Sequence, residues 1–253
     1  LLPQQAQQLM AVATQAPYGR GSETLIDTTV RKTWQINADQ VKLGGRHWPQ
    51  TLQSIVDRVV TGLSVTEPVS AELYKLLVYQ SGDFFISHRD TEKAPGMFAT
   101  LVVVLPSVYT GGELTIRHNN REVELDLSGD DASEVVAFAA FYADCVHEIK
   151  PVTSGCRLTL VYNLVRRGAG RPPQPPGYSG EQDAVAALLR QWVKAHGAAE
   201  ATPEKLIYPL EHAYTAAELA FDRLKGADAA VAPVLLAASG QAGCELHLAL
   251  LTI

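Results

Sequence analysis

Between residues 71 and 164, short apolar runs rich in β-branched and aromatic residues follow one another: 73–80 (LYKLLVYQ), 97–105 (MFATLVVVL), 113–118 (ELTIRH), 121–127 (REVELDL), 135–142 (VVAFAAFY) and 157–164 (RLTLVYNL). Runs of this length and composition predict strands, and the alternation in RLTLVYNL gives that one two distinct faces. Turn-forming clusters separate them: Ser81-Gly82-Asp83, Gly111-Gly112, His118-Asn119-Asn120 and Ser128-Gly129-Asp130-Asp131. Outside 91–96, no helical period interrupts the block. Consecutive strands without crossover helices predict an antiparallel sandwich or barrel, not a doubly wound sheet.

The flanks read differently. Residues 3–15 predict a short helix, and 16–48 predict loops with one or two strands. In 49–61, Leu52, Ile55, Val56, Val59 and Val60 form one apolar helical face, with Pro49 at a favoured first position. Residues 165–180 hold four prolines and predict a linker or exposed loop. Helices are expected over 181–196, 215–225 and 227–239, and a final strand over 244–252. The expected organisation is therefore an N-terminal part (1–70), a β core (71–164), the linker (165–180) and a C-terminal helical extension (181–253). The fold class is mainly β with flanking helices.

Composition narrows the setting. The 253 residues are 47% hydrophobic and 19% charged, which excludes a disordered chain, a collagen-like fibre and a coiled coil. With 21 Lys and Arg against 27 Asp and Glu, the net charge is −6, so a nucleic-acid partner is not expected. The apolar runs are too short to span a bilayer as helices, and no membrane partner is expected. The opening residues carry no charged segment followed by an apolar one, and no secretory leader is expected. Cys145, Cys156 and Cys244 fit neither a disulfide framework nor a zinc pattern, which points to a reducing, cytoplasmic setting. A start at Leu1 and an end inside CELHLALLTI suggest a piece of a longer chain.

The candidate chemistry sits in the β block. His88 and Asp90 lie two apart in FFISHRD, so an extended segment points both the same way. His147 follows 57 residues after Asp90, beyond the strand AFAAFYADC. Two imidazoles and one carboxylate suit ferrous iron and leave coordination positions for substrate and dioxygen. Ten residues later, Arg157 and Thr159 share one face of RLTLVYNL. A buried guanidinium needs an anion, and its planar fork fits a carboxylate, with a neighbouring hydroxyl adding a bond. Tyr79, nine residues before His88, can offer its phenol to the same carboxylate.

In order and spacing, Tyr79, the His88/Asp90 pair, ATLVVVLP with GGELTI (99–116) and HEIKPVTSGCRLTLVY (147–162) resemble the 2-oxoglutarate and Fe(II)-dependent dioxygenases, and within them the prolyl 4-hydroxylase-like branch. The resemblance implies a double-stranded β-helix (jelly-roll) core. It implies Fe(II) held by His88, Asp90 and His147, and 2-oxoglutarate held by the metal, Arg157 and Tyr79, with Thr159 or Thr100 as further contacts. It implies O2 as co-reactant, with ascorbate as an accessory, and hydroxylation coupled to release of succinate and CO2. One departure is visible: the prolyl 4-hydroxylases proper usually carry Lys where this chain has Arg157. VRKTW (30–34) faintly resembles the arginine-bearing substrate-side strand of that branch.

The leading substrate expectation is a peptide or protein side chain, prolyl in type. A small-molecule or free amino acid hydroxylase is the alternative, and a non-catalytic jelly-roll binding module is the rival from another class. The rest reads as structural. His47, His118, His196, His212 and His247 have no partner pattern. Cys145 reads as a small buried residue, and Arg31, Lys32 and Trp34 as an ordinary strand with one buried Trp, with the lining of a substrate entrance as the alternative. Gly111-Gly112 reads first as a turn, and 129–134 (GDDASE) as a solvated loop.

Overall fold

The computed structural model describes residues 3–20, 23–63, 65, 67–90, 93–118, 121–129, 131–167, 179–196 and 203–251. The chain divides into two compact units, one of residues 1–63 with 68–167 and one of 64–67 with 168–253.

The first unit opens with helix α1 (Pro3–Val12) and five short strands: β1 (Thr14–Gln15), β2 (Tyr18–Arg20), β3 (Glu23–Leu25), β4 (Arg31–Lys32) and β5 (Trp34–Asn37). Helix α2 (Trp48–Gly62) follows, with Pro49 in its first turn and Ile55, Val56 and Val59 buried. Burying each of these is worth about 1.5–3 kcal/mol. Then come β6 (Val69–Gln80), β7 (Phe84–His88), β8 (Met97–Leu105), β9 (Tyr109–Gly111), β10 (Leu114–His118), β11 (Arg121–Leu125), β12 (Ala137–Tyr142), β13 (Val146–Ile149) and β14 (Val152–Arg166). One seven-stranded sheet runs β1-β5-β6-β14-β8-β12, with β9 also on β14, and a five-stranded sheet runs β11-β10-β13-β7-β4. Every pairing is antiparallel. This is the double-stranded β-helix.

Strand β14 is the spine of the large sheet. Its alternation puts Leu158, Leu160, Tyr162 and Leu164 into one buried layer, and Arg157, Thr159, Val161 and Asn163 into a cavity between the sheets. On its two flanks, Thr159 pairs with Leu77 of β6 and Val104 of β8, and Val161 with Lys75 and Val102. β8 is buried on both faces, and its MFATLVVVL run is accordingly almost continuous in apolar residues. A register shift in β6 opposite Val161/Tyr162 leaves Tyr74 as an extra residue. Such a bulge breaks strict alternation, so Tyr74 and Lys75 both line the cavity.

In the second unit, α3 (Ser179–His196) packs on α4 (Gly226–Ala242). Asp228, in the first turn of α4, is buried and accepts bonds from the backbone N–H of Glu211 (2.8 Å) and His212 (3.0 Å) and from the Tyr214 hydroxyl (2.9 Å). These bonds hold the preceding segment in an irregular path.

Two sequence expectations fail in this unit. Over 215–225 there is no α-helix, only a 3-10 turn at Phe221–Arg223. Here Lys225 donates its backbone N–H to the Tyr214 hydroxyl and its ammonium to the Ala213 carbonyl, and Thr215 donates to Glu218, so local side-chain bonds replace the helical ladder. Residues 244–251 alternate but form no strand, because no described strand pairs with them. Gly243 ends α4 in the left-handed conformation (φ 71°). Most of the 165–180 segment (168–178) lies outside the described residues, as do Asn119, Asn120 and Asp130 of the expected turns. No helix among the described residues is long and apolar enough to cross a membrane.

Candidate active site

His88 ends β7 and His147 lies on β13, directly opposite it in the ladder. The β7–β13 register then shifts, with Ile149 facing Phe85, and the chain runs past His88 to Asp90, whose backbone N–H donates to the Ala143 carbonyl (3.2 Å). The ligand atoms of His88, Asp90 and His147 all lie within 4.8 Å of one another. His88 Nδ1 is 2.8 Å from the Ile86 carbonyl and His147 Nδ1 3.1 Å from the Cys145 carbonyl. A proton on each Nδ1 satisfies those contacts and leaves each Nε2 lone pair facing the partner ligands. The Asp90 carboxylate is oriented too: Thr100 Oγ1 donates to its Oδ2 at 2.6 Å, and the same oxygen lies 3.7 Å from His147 Nε2. Phe85 stacks on His88 (centroids 3.4 Å apart) and Phe141 tilts against His147 (4.4 Å).

These residues fit a divalent cation. Burial, and then the neighbouring His147, push the His88 pKa down to about 3, so the ring is neutral and its Nε2 available. Hydrogen bonds from the non-ligating nitrogen to a carbonyl, and from a hydroxyl to the ligating carboxylate, are the usual outer-shell supports of such a site.

The other end of the cavity is cationic. Arg157 is fully buried, and its guanidinium lies 5.7 Å from the Tyr79 ring centroid and 5.9 Å from that of Tyr109. Nη1 donates to the Gly112 carbonyl at 2.7 Å, while Nε and Nη2 have no partner among the described residues. Thr159 Oγ1, two residues along the same face, has none either. Burial pushes the Arg157 pKa down, yet a guanidinium stays charged. Among the described residues no carboxylate lies within 4.0 Å of it. A buried charge with two unused N–H donors and an adjacent unused hydroxyl describes a carboxylate-binding site. The approach depends on Gly112: its φ is +71°, and a Cβ there would sit 2.9 Å from Val152 Cγ2.

Residues 74–165 match the family model described as the 2OG-Fe(II) oxygenase superfamily. This segment belongs to the 2-oxoglutarate and Fe(II)-dependent oxygenases. It is the core of a 2-oxoglutarate-dependent non-haem iron dioxygenase, and the family implies Fe(II) and 2-oxoglutarate as cofactor and cosubstrate. Comparison with curated protein sequences gives no match. Among solved structures, the chain is similar to a prolyl hydroxylase from Trichoplax adhaerens, in complex with a hypoxia inducible factor peptide fragment, at 20% identity and TM-score 0.44 over 64% of this chain and 76% of that one. It is similar to a Pseudomonas putida prolyl-4-hydroxylase at 18% and 0.41, over 66% and 89%. A viral collagen prolyl hydroxylase from Paramecium Bursaria Chlorella virus-1 gives 15% and 0.39, over 55% and 81%.

One cavity of the oxygenase segment brings His88, Asp90, His147, Tyr79, Thr100, Arg157 and Thr159 together. Thr100 lines the cavity with its hydroxyl donated to Asp90. Of VRKTW, Arg31 lines the cavity, whereas Lys32 pairs with Asp83 (3.6 Å) outside it. His47 and His247 are exposed. Cys145 is buried and serves His147 through its carbonyl. Sequence reasoning missed Lys75, Asn163 and the role of Gly112. A lysine inside an otherwise apolar strand (LYKLLVY) was the available signal for the first.

Proposed function

We propose that this oxygenase hydroxylates a C–H bond of a peptide or protein side chain, prolyl in type, with O2 as oxidant and release of succinate and CO2. The observation that carries the reading is a single cavity with two ends: a neutral-imidazole and carboxylate set at one, and the orphaned Nε and Nη2 of Arg157 with the orphaned Thr159 hydroxyl at the other.

In this reading His88, Asp90 and His147 hold the metal. The metal, when bound with 2-oxoglutarate, supplies the activation of dioxygen that an unactivated C–H requires. The chain's own residues do the rest. The Ile86 and Cys145 carbonyls fix the tautomer and tilt of the two imidazoles. Thr100 fixes the carboxylate rotamer. Arg157 takes the distal carboxylate of 2-oxoglutarate through Nε and Nη2, with Thr159 donating its hydroxyl and Tyr79 closing one face. Leu77, Val102, Leu114 and Ile149 wall the cavity between its two ends with apolar surface and exclude water from it. Ascorbate fits as an accessory reductant of the metal.

A small-molecule or free amino acid substrate is the second reading. Buried Lys75 and Arg31 on the cavity wall favour it, because an unmodified prolyl ring offers them nothing to bind. The experiment is an anaerobic load with Fe(II) and 2-oxoglutarate, then exposure to air with prolyl peptides in one arm and free amino acids in the other, reading succinate. Peptide-stimulated succinate supports the first reading and metabolite-stimulated succinate the second. Absence of any 2-oxoglutarate binding overturns both.

A further inference from the structure

Lys75 is 6% exposed and lines the oxygenase cavity. Its ammonium lies 4.3 Å from the Tyr74 ring centroid and donates to the Gln35 side-chain carbonyl at 2.6 Å. Among the described residues no carboxylate comes within 4.0 Å of it. A neutral amide and an aromatic face are poor compensation for a buried ammonium, and replacement by an apolar residue of similar size would remove the cost. Burial and the neighbouring Arg31 and Lys93 push its pKa down to about 8, so it is still largely charged at neutral pH.

The charge count makes the same point. Arg31, Lys75, Lys93 and Arg157 line the cavity against one carboxylate, Asp90. Fe(II) and doubly charged 2-oxoglutarate cancel each other, and Lys93 is exposed to solvent, so the buried cations Arg31, Lys75 and Arg157 still exceed Asp90 by two charges once both are bound. Arg157 is committed to 2-oxoglutarate in the reading above. Lys75 stands four residues from Tyr79 along β6, on the rung opposite Val161, which places it about 13 Å from the Arg157 rung at ~3.3 Å per residue. That is beyond the reach of a five-carbon diacid already held at Arg157. Asn163, two residues past Val161, is 6% exposed and lines the same stretch.

We propose that Lys75, with Asn163 beside it, is a specificity-determining site for an anionic group of the substrate, a carboxylate or a phosphate. This deepens the oxygenase reading and rests on it. The substrate then enters with its anion on Lys75 and presents a neighbouring C–H to the His88/Asp90/His147 end. Selectivity is large in such a site because a neutral isostere leaves the ammonium buried and unpaired.

The test uses the whole chain loaded with Fe(II) and 2-oxoglutarate under nitrogen. 2-Oxoglutarate affinity is measured first, by calorimetry, and its absence overturns the oxygenase reading on its own account. The loaded protein is then titrated at fixed ionic strength with two matched pairs: N-acetylglutamate amide against N-acetylglutamine amide, and N-acetyl-O-phosphoserine amide against N-acetylserine amide. At least one anionic probe is expected to bind tenfold or more tightly than its neutral partner, and the responding pair identifies carboxylate or phosphate. In Lys75→Gln, and in Lys75→Met as a second neutral variant, the preference is expected to fall below twofold while 2-oxoglutarate affinity stays within twofold of the parent. Binding without preference in both pairs, no binding of either anionic probe, or a preference that survives both substitutions overturns the proposal.

Discussion

His88 and His147 face each other across one rung of an antiparallel ladder, with ring centroids 4.1 Å apart, and each ties its Nδ1 to the backbone carbonyl two residues earlier in the chain. The repeated arrangement means that the backbone orients both rings. No side-chain network is needed to choose the tautomer, and the two Nε2 atoms are aimed before any ion arrives. Asp90 is different, because its carboxylate is fixed from across the sandwich by Thr100.

Replacing a ligand should therefore remove function while leaving the fold. Asp90→Ala is expected to reduce Fe(II)-dependent succinate formation by at least 100-fold. Because Asp90 is a half-buried residue at the cavity edge, its unfolding midpoint in urea should stay close to that of the parent. Near-normal succinate formation in that variant refutes the ligand assignment.

The role of Thr100 can be separated from that of a ligand. Thr100→Val keeps the shape and removes the donor to Asp90 Oδ2, freeing the carboxylate to rotate. Loss of such an outer-shell bond typically costs 10–100-fold in metal affinity. Metal titration should show a decrease in that range, with 2-oxoglutarate affinity at saturating metal little changed. If Thr100 instead served the cosubstrate, the two effects would be reversed.

Arg157 makes an unusual stability prediction. Its guanidinium is buried with two N–H groups unpaired, so in the unliganded chain it costs stability. Arg157→Met should leave the apo protein as stable as the parent or more so, despite loss of the Gly112 bond. The same variant should bind 2-oxoglutarate at least 100-fold more weakly. At 2-oxoglutarate concentrations 100 times the parent dissociation constant, the parent gains about 2.7 kcal/mol if the unfolded chain does not bind, and the variant gains little. Thermal unfolding with and without metal plus 2-oxoglutarate checks both parts.

What could be read from residue order and what could not divide along a physical line. Short β-rich runs bounded by turn residues placed β6, β8, β10 and β14, and period-two alternation in β14 put Arg157 and Thr159 on one face, because that strand keeps its register there. The His88/Asp90 spacing with a distant histidine pointed to a metal set, since extended backbone fixes which way residues two apart project. Lys75 lies in phase with Leu77 and Tyr79, so alternation puts it on the cavity face, and what residue order does not show is that no carboxylate among the described residues meets it there. Tyr74 escaped because the bulge breaks the alternation at that residue. Gly112 read as a turn, and it is one, but its carbonyl also holds Arg157, a contact 45 positions away that no local pattern encodes. The 244–251 run alternates as a strand should. It forms none because a strand also needs a neighbour, and pairing is not a property of the segment itself.

Gly112 supports a test of that long-range contact. Gly112→Ala places a Cβ 2.9 Å from Val152 Cγ2 at a φ of +71°, where a side chain is strained. The expected result is a loss of about 1–3 kcal/mol in urea unfolding together with weaker 2-oxoglutarate binding, because the Gly112 carbonyl moves off Arg157. A variant that loses stability but keeps full 2-oxoglutarate affinity would show that the carbonyl does not position the guanidinium.

Lys75 gives a pH signature whose sign follows from its environment. Burial, Arg31 on β4 and Lys93 all lower its pKa, Asp90 raises it, and the balance is about 8 against an ordinary 10.5. Between those values the unfolded chain holds a proton that the folded chain has released, so stability from this group rises as pH increases from about 8 to 10.5 and is flat below 8. Lys75→Met lacks the titration. The variant should therefore be more stable than the parent at pH 7, and the gap should narrow by pH 9.5, as read from paired urea unfolding curves. The Lys75-dependent preference for an anionic probe should fade over the same interval, because the ammonium that holds the anion is lost above about pH 8. A stability gap that is constant from pH 7 to 9.5 would mean that Lys75 keeps an ordinary pKa and is solvated, which would also remove the reason to expect an anion at its side.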